Sequence, residues 1–295
     1  MSYNLQYLED ESIKIIREAF AEAINPVILY SIGKDSTVLL DLCRKAFFPL
    51  NINFKVLHVD TGWKFKEMYD FRDFISNKYN CNIFRYKNLD FDNINPFIDG
   101  SAIFTNKMKT EALKKCIESN KFDFIISGAR RDEEVSRSKE RIFSFRNEEQ
   151  KWFSDKQRPE IFDNFNLLRK EGETFRVFPL SNWTELDIWL YIKENNLDVV
   201  DLYFSKERLV GTYNGSLIMI NDDRCLNYVT DIRKMNVRFR TLGCYPLTNA
   251  ILSKARNVDD IINELKVTKY SERYGRTIDK DSEFSMEKKK KDGYF

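Results

Sequence analysis

The residues best equipped for chemistry stand in one short stretch, Tyr30-Ser31-Ile32-Gly33-Lys34-Asp35-Ser36-Thr37, directly after the apolar run Val27, Ile28 and Leu29. Beyond it Val38, Leu39, Leu42, Cys43 and Ala46 recur at helical spacing and line one face. The stretch therefore reads as a strand, a tight turn and the start of a helix. A helix start directs N–H groups without intrahelical partners, and the positive end of its dipole, into the turn before it. Gly33 lets that backbone come close to a ligand, Ser31, Ser36 and Thr37 add hydroxyl donors, and Lys34 adds a full positive charge. These are the parts of a phosphate cradle. On these residues alone, an ordinary capped helix with an exposed lysine is the competing reading. The nucleotide loop of kinases and GTPases does not fit, because it needs a glycine five residues before Gly33 and Ser or Thr directly after the lysine. Ile28 and Asp35 stand there.

Two further polar turns follow apolar runs. The run from Phe54 ends in His58-Val59-Asp60-Thr61-Gly62, and the run from Phe122 ends in Ser127-Gly128-Ala129-Arg130-Arg131-Asp132-Glu133-Glu134. In a parallel sheet with helical crossovers, ligands gather beyond the carboxyl ends of the strands, so all three turns open into one crevice. There Asp60 and Gly62 face a nucleoside, Gly128 permits close approach, and Arg130 and Arg131 supply forked donors for phosphate or sulfate oxygens. His58 is the sole histidine of the chain, either a catalytic acid or base or a satisfied structural residue. The basic residues after Arg131 (Arg137, Lys139, Arg141 and Arg146) are interleaved with Ile142, Phe143 and Phe145, as on a nucleic-acid surface. Glu133, Glu134 and Glu140 offset that charge, which favours a solvated, salt-bridged segment. Later, Val237-Arg238-Phe239-Arg240 puts both arginines on one side if it is a strand. They either complete an anion pocket or decorate an ordinary strand edge.

The elements that position these turns are legible as alternation. Ile13, Ile16, Ala19, Phe20 and Ala23 mark a helix with Ser12 as its cap, ended by Asn25-Pro26. Strands are expected near residues 27–29, 54–59, 82–86, 122–126 and 174–180, with helices between them and a capped helix starting at Thr184 with Asp187 three residues on. This is an α/β fold: an open, mostly parallel twisted sheet with helices on both faces. Residues 1–205 form its nucleotide-binding domain, and residues 206–295 an irregular C-terminal extension that completes the anion site and ends in a partner-docking tail. Residues 147–172 lack periodicity and read as an insertion or lid. With 295 residues and a hydrophobic share of 42%, the chain can bury a sizeable core. Its 48 basic and 46 acidic side chains nearly cancel, so an anion site must be local. No apolar run reaches membrane-spanning length, and the first ten residues lack the pattern of a signal peptide, so the expected location is cytoplasmic. Five cysteines, scattered and without a C-x-x-C pair, argue against a disulfide scaffold, a zinc site or an iron–sulfur cluster.

Taken together, Ser31-Ile32-Gly33-Lys34-Asp35-Ser36, His58-Val59-Asp60-Thr61-Gly62-Trp63-Lys64, Gly128-Ala129-Arg130-Arg131-Asp132-Glu133-Glu134, Phe178-Pro179-Leu180-Ser181-Asn182-Trp183 and Arg238-Phe239-Arg240-Thr241-Leu242-Gly243-Cys244-Tyr245-Pro246 are specific. They resemble the small-subunit family of bacterial ATP sulfurylases (sulfate adenylyltransferases), within the ATP pyrophosphatases, from about residue 8 to the closing Gly293-Tyr294-Phe295. Ile32 departs from the double glycine of the wider superfamily but matches this subfamily. The resemblance implies an adenine nucleotide alpha hydrolase-like fold and transfer of the adenylyl group of ATP to sulfate, with Mg2+. It implies a catalytic role for Lys34, Arg130 and Arg131, and ATP binding by Ser31, Gly33, Lys34, Asp35, Ser36, His58, Asp60, Gly62 and Gly128. Arg238 and Arg240 are weaker sulfate candidates. It also implies a separate GTPase large subunit, since this chain has no GTPase loop. The related phosphoadenylyl sulfate reductases carry a C-terminal Glu-Cys-Gly-x-His motif, whereas here the last cysteine lies in Leu242-Gly243-Cys244-Tyr245-Pro246 and no histidine follows His58. FMN adenylyltransferase shares the loop but not the arginine-rich turn and tail. A non-catalytic nucleotide-binding scaffold is the alternative from another class.

Overall fold

A computed structural model describes residues 3–50, 53–162 and 164–268. The chain begins with α1 (Tyr3–Glu22), then alternates β1 (Pro26–Leu29), α2 (Lys34–Phe47), β2 (Val56–Val59), α3 (Lys66–Lys78) and β3 (Ile83–Tyr86). The short α4 (Ser101–Thr105) runs through an irregular helical turn into α5 (Ala112–Asn120), which leads to β4 (Phe124–Ile126). After α6 (Val135–Ser138) come β5 (Phe143–Arg146), β6 (Thr174–Val177) and α7 (Glu185–Glu194).

These strands make one six-stranded sheet in the order β3-β2-β1-β4-β6-β5, parallel throughout except for β5 at the edge. Strands covered on both faces need apolar residues in succession, and β1 and β4 supply them. Val27, Leu29, Leu57 and Ile125 pack with Leu113, Cys116 and Ile117 of α5, while Ile28, Val56 and Ile126 join the larger core with Leu39 and Leu42 of α2. The order reverses between β1 and β4. That reversal opens a crevice at their carboxyl ends.

Ser12, expected to cap the first helix, lies in the middle of α1 instead. Its hydroxyl donates to the Pro179 carbonyl at 2.8 Å and accepts from Trp183 Nε1 at 2.9 Å, tying α1 to the turn before α7. The cap at Thr184 forms as the pattern requires, its hydroxyl accepting from Asp187 N. Trp183 and Trp189 are completely buried.

Two other expectations need correction. The segment after Arg131 is salt-bridged as expected, Arg137 to Glu133 and Glu134 and Arg146 to Glu140, but it is not a solvated strip. It contains β5, whose Phe143 and Arg146 are buried. Residues 147–172 do not close over the crevice, because they follow the end of antiparallel β5 and precede the start of β6, at the opposite edge of the sheet. There Gln150 and Leu167 to Thr174 line a hollow with Ile24 and Asp123.

The extension left irregular by its sequence pattern holds a second, antiparallel sheet of β7 (Lys206–Tyr213), β8 (Ser216–Met219), β9 (Thr230–Arg238) and β10 (Ile251–Leu252), in the order β10-β9-β7-β8. Asn214 and Gly215, both at positive φ, turn β7 into β8 as a two-residue hairpin. The last described helix is α8 (Val258–Val267), capped by the Asn257 side chain. Residues 269–295, including the lysine run and the proposed docking tail, lie outside the described residues. Among the described residues no helix is long and apolar enough to cross a membrane.

Candidate active site

The crevice encloses about 210 Å3 between the turns that follow β1, β2 and β4. Ser31, Gly33, Asp35 and Ser36 line it from the first turn, His58 and Val59 from β2, and Ser127, Gly128 and Ala129 from the turn after β4. The three turns singled out from sequence therefore converge.

The first turn is built by its own hydroxyls. Ser36 Oγ accepts from Gly33 N at 3.1 Å and donates to Gly33 O at 2.9 Å, and Thr37 Oγ1 donates to the same carbonyl at 3.0 Å. The residue at positive φ is Ile32, at 67°, while Gly33 has an ordinary φ of −89°. A β-branched side chain in that conformation is strained. Complete burial of Ile32 in the core offsets the cost.

Gly128 has a different reason to be glycine. A Cβ there would stand 3.0 Å from the Asp35 carbonyl carbon and oxygen and 3.2 Å from Ser36 N. Its bareness lets the β4 turn pack against the first turn of α2.

The charges behind the loop form a row. Asp35 accepts from Arg130 Nε at 2.7 Å and from Lys34 Nζ at 3.2 Å, while Lys34 Nζ also donates to the Arg240 carbonyl at 3.3 Å. Burial alone would raise the Asp35 pKa, but the Lys34 and Arg130 charges overcome it and hold the carboxyl at about 2. Lys34 and Arg130 are almost wholly buried and do not line the crevice. They stand behind the turn that faces the ligand space, two cations on one carboxylate.

Arg131 turns away, donating to the Glu140 carbonyl at 3.1 and 3.2 Å and to Asn182 Oδ1 at 2.6 Å. Arg238 ends β9 and is held by Glu264 of α8 at 2.6 Å, and Arg240, beyond the strand, pairs with Glu185 of α7. None of these three guanidiniums lines the crevice. The two latter do not share a strand face, because β9 stops at Arg238.

Asp60 and Gly62 build the second turn rather than line the crevice. Asp60 Oδ1 accepts from Gly62 N at 2.9 Å and from the Tyr69 hydroxyl at 2.7 Å, and Gly62 has the positive φ (71°) that this turn needs. Burial opposes ionisation of Asp60. Those two donors outweigh it, and its pKa is lowered. The Arg224 guanidinium stacks 4.1 Å from the Trp63 ring and donates to Gly62 O, fixing the turn from outside.

His58 is completely buried, with Nδ1 donating to the Tyr30 carbonyl at 2.9 Å. Burial and then the nearby Lys64 charge push its pKa down to about 4, so it is neutral at pH 7.

The basic side chains that do line the crevice are Lys64, Lys109 and Arg137, with Glu133 beside them. Arg137 is neutralised by Glu133 Oε2 at 2.6 Å and Glu134 Oε1 at 2.9 Å. Lys64 had a sequence signal, since it closes the polar turn after β2. Lys109 sits in an irregular helical turn and had none. Tyr203 was equally unmarked. Its hydroxyl accepts from Lys34 N at 2.8 Å, capping the start of α2, and its side chain lines the crevice. Thr241, Leu242 and Gly243 bring the C-terminal region to the same wall.

Residues 25–250 match the phosphoadenosine phosphosulfate reductase domain family. Over 295 residues the chain is 54% identical to sulfate adenylyltransferase subunit 2 of Baumannia cicadellinicola, covering 99% of this chain and 98% of that one. The chain belongs to the sulfate adenylyltransferase subunit 2 family. The same subunit of Zymomonas mobilis is also 54% identical, with 99% of this chain and 98% of that one covered. Among solved structures, Candida glabrata FMN adenylyltransferase superposes with a TM-score of 0.51 at 16% identity, over 92% of this chain and 87% of that one. That likeness agrees with the α/β fold of a family member. In this chain Lys64, Lys109 and Arg137 line the crevice, and Arg130 and Arg131 do not.

Proposed function

We propose that this chain transfers the adenylyl group of ATP to sulfate: a sulfate oxygen attacks the α-phosphorus, the Pα–O–Pβ bond breaks, and adenylyl sulfate and pyrophosphate form. The observation that carries this reading is full-length 54% identity to sulfate adenylyltransferase subunit 2, on a chain whose phosphate-type turn opens at the sheet's topological switch. Such a transfer is mainly positioning and charge neutralisation. The turn at Ser31, Gly33 and Ser36 and the start of α2 receive the pyrophosphate. Lys64 and Lys109 neutralise negative charge in the crevice, and the row Lys34, Asp35 and Arg130 keeps the turn rigid and electropositive. Neutral His58 is a wall residue on this reading. Magnesium would enter with the triphosphate. Among the described residues no group of three His, Cys, Asp or Glu stands together to hold a metal, so phosphate oxygens and water would supply most of its ligands.

A thiol-based reductase reading finds little support in the cysteines. Four are buried and Cys81 is half-buried, and none lines the crevice, whereas a redox nucleophile needs an accessible thiolate. Sulfate is a poor nucleophile and the mixed anhydride is costly. A separate GTP-hydrolysing subunit supplies the drive on this proposal, consistent with the name "subunit 2" carried by the relatives.

The test is sulfate-dependent pyrophosphate release from ATP and magnesium by the chain with its GTPase partner. Lys64→Ala should lower kcat/KM by about 10²–10³-fold with little change in Tm. Wild-type activity in that variant would remove Lys64 from the site, and no adenylyl sulfate from the wild type would overturn the function.

A further inference from the structure

Away from the crevice, the edge of the main sheet hides an excess of positive charge. Ser144 of β5 stands opposite Arg176 of β6, and Arg146 shares the face of Ser144. Arg146 and Arg176 are both completely buried. Arg146 Nη1 donates to the Ser144 hydroxyl and to the Phe145 carbonyl, and lies 3.6 Å from Glu140 Oε1. Arg176 Nη2 donates to Gln150 Oε1 at 3.4 Å, an oxygen that also takes the Thr174 hydroxyl at 3.0 Å. Glu140, itself buried, is the one carboxylate paired with the two arginines among the described residues. Two guanidiniums against one carboxylate leave one positive charge in the interior, and guanidinium does not discharge by losing a proton.

The donors are unmatched as well. Arg146 Nε and Nη2, and Arg176 Nε and Nη1, are buried without a hydrogen-bond partner. Nε and Nη2 of one arginine form the edge that grips an oxyanion with two parallel bonds. Water molecules would satisfy these N–H groups but leave the net charge. A small anion satisfies both. The lid is already in place, because Gln157 accepts from Phe145 N at 3.0 Å and donates to the Phe145 and Phe153 carbonyls, while Gln150 reaches Thr174 and Arg176. This gives residues 147–157 a task that their sequence does not announce.

We propose that Arg146 and Arg176 hold one small inorganic anion, a halide or a tetrahedral oxyanion, as a structural ligand inside the β5–β6 edge. The anion locks β5 and the 147–157 segment to the sheet, and it is separate from any anion bound in the crevice.

Crystals of the full chain grown in bromide, and others in sulfate, test this directly. A bromide anomalous peak, or tetrahedral density, is expected in contact with Arg146 Nε and Nη2 and with Arg176. The two soaks also distinguish halide from oxyanion. In solution, saturating bromide or sulfate should raise Tm by about 2–4 °C over gluconate at equal ionic strength. In Arg176→Met, which removes the surplus charge, that anion dependence should vanish whatever the starting Tm. Because sulfate also has a place in the crevice, the bromide arm isolates this site. Density for water only overturns the proposal. So does a peak with no anion-dependent Tm shift in the wild type, which marks an adventitious ion only. If Arg176→Met fails to fold, the wild-type crystal and Tm series still decide.

Discussion

A histidine in a crevice invites a role in proton transfer, yet at the residue scale His58 is built to stay neutral. Its ring is buried at the end of β2, its Nδ1–H is committed to the Tyr30 carbonyl, and the Lys64 charge is nearby. The folded pKa of about 4 lies below the ordinary 6.5. In the window between them the unfolded chain takes up a proton that the native chain refuses. This contribution to stability is therefore fully present above pH 6.5 and is lost as pH falls toward 4, by about 3 kcal/mol in all. Chemical denaturation of His58→Asn between pH 7 and 4 should show a shallower loss than the wild type. Equal slopes would mean that another group carries the acid sensitivity. Sequence made this histidine conspicuous but could not reveal its burial, and the same holds at Ile32. The departure from glycine was visible there, but not that the position has a φ of 67° and that packing holds the side chain in it.

At the scale of elements, the three turns were legible because each combines a short apolar run, a glycine and polar residues where strand gives way to helix. What was not legible is how the turns lean on one another. Gly128 reads as a residue that admits a ligand, whereas its nearest would-be contacts are backbone atoms of Asp35 and Ser36. Those atoms belong to the first turn of α2 and cannot swing aside as a side chain would. Gly128→Ala should thus force the β4 turn away from the loop, at a cost of about 1–3 kcal/mol, and lower affinity for ATP because the crevice wall moves. Calorimetric titration with ATP, paired with a Tm measurement, checks both effects. Unchanged binding with unchanged Tm would show that the two turns are not in the tight contact described here. The edge strand β5 escaped the sequence pattern for a related reason. Its one arginine, Arg146, looks like a surface residue until Glu140 and the neighbouring β6, with its own buried Arg176 held by Gln150, are seen beside it.

At the scale of the whole molecule, the α/β alternation up to α7 was readable from period and punctuation, while the second sheet was not, even though Asn214-Gly215 is a strong hairpin signal between short apolar runs. That sheet matters because it delivers residues 241–243 to the crevice. The arginines just before them do not line the crevice; they anchor the delivery. Arg238 ties β9 to α8 through Glu264, and Arg240 ties the following turn to α7 through Glu185, a pair about nine-tenths buried on both sides. The Arg240 carbonyl then accepts from Lys34 Nζ, which joins the far end of the chain to the phosphate-type loop. Removing one partner of a buried ion pair costs about 3–5 kcal/mol, because the other charge is stranded. Glu185→Gln should lose stability on that scale and also raise KM for ATP, since the turn at 241–243 and the Lys34 amine lose a common support. Combining it with Arg240→Met should recover part of the stability, the stranded charge being gone, but not the KM. If KM stays at the wild-type value while stability falls, the ion pair holds the fold together without shaping the site, and residues 241–243 keep their place by other contacts.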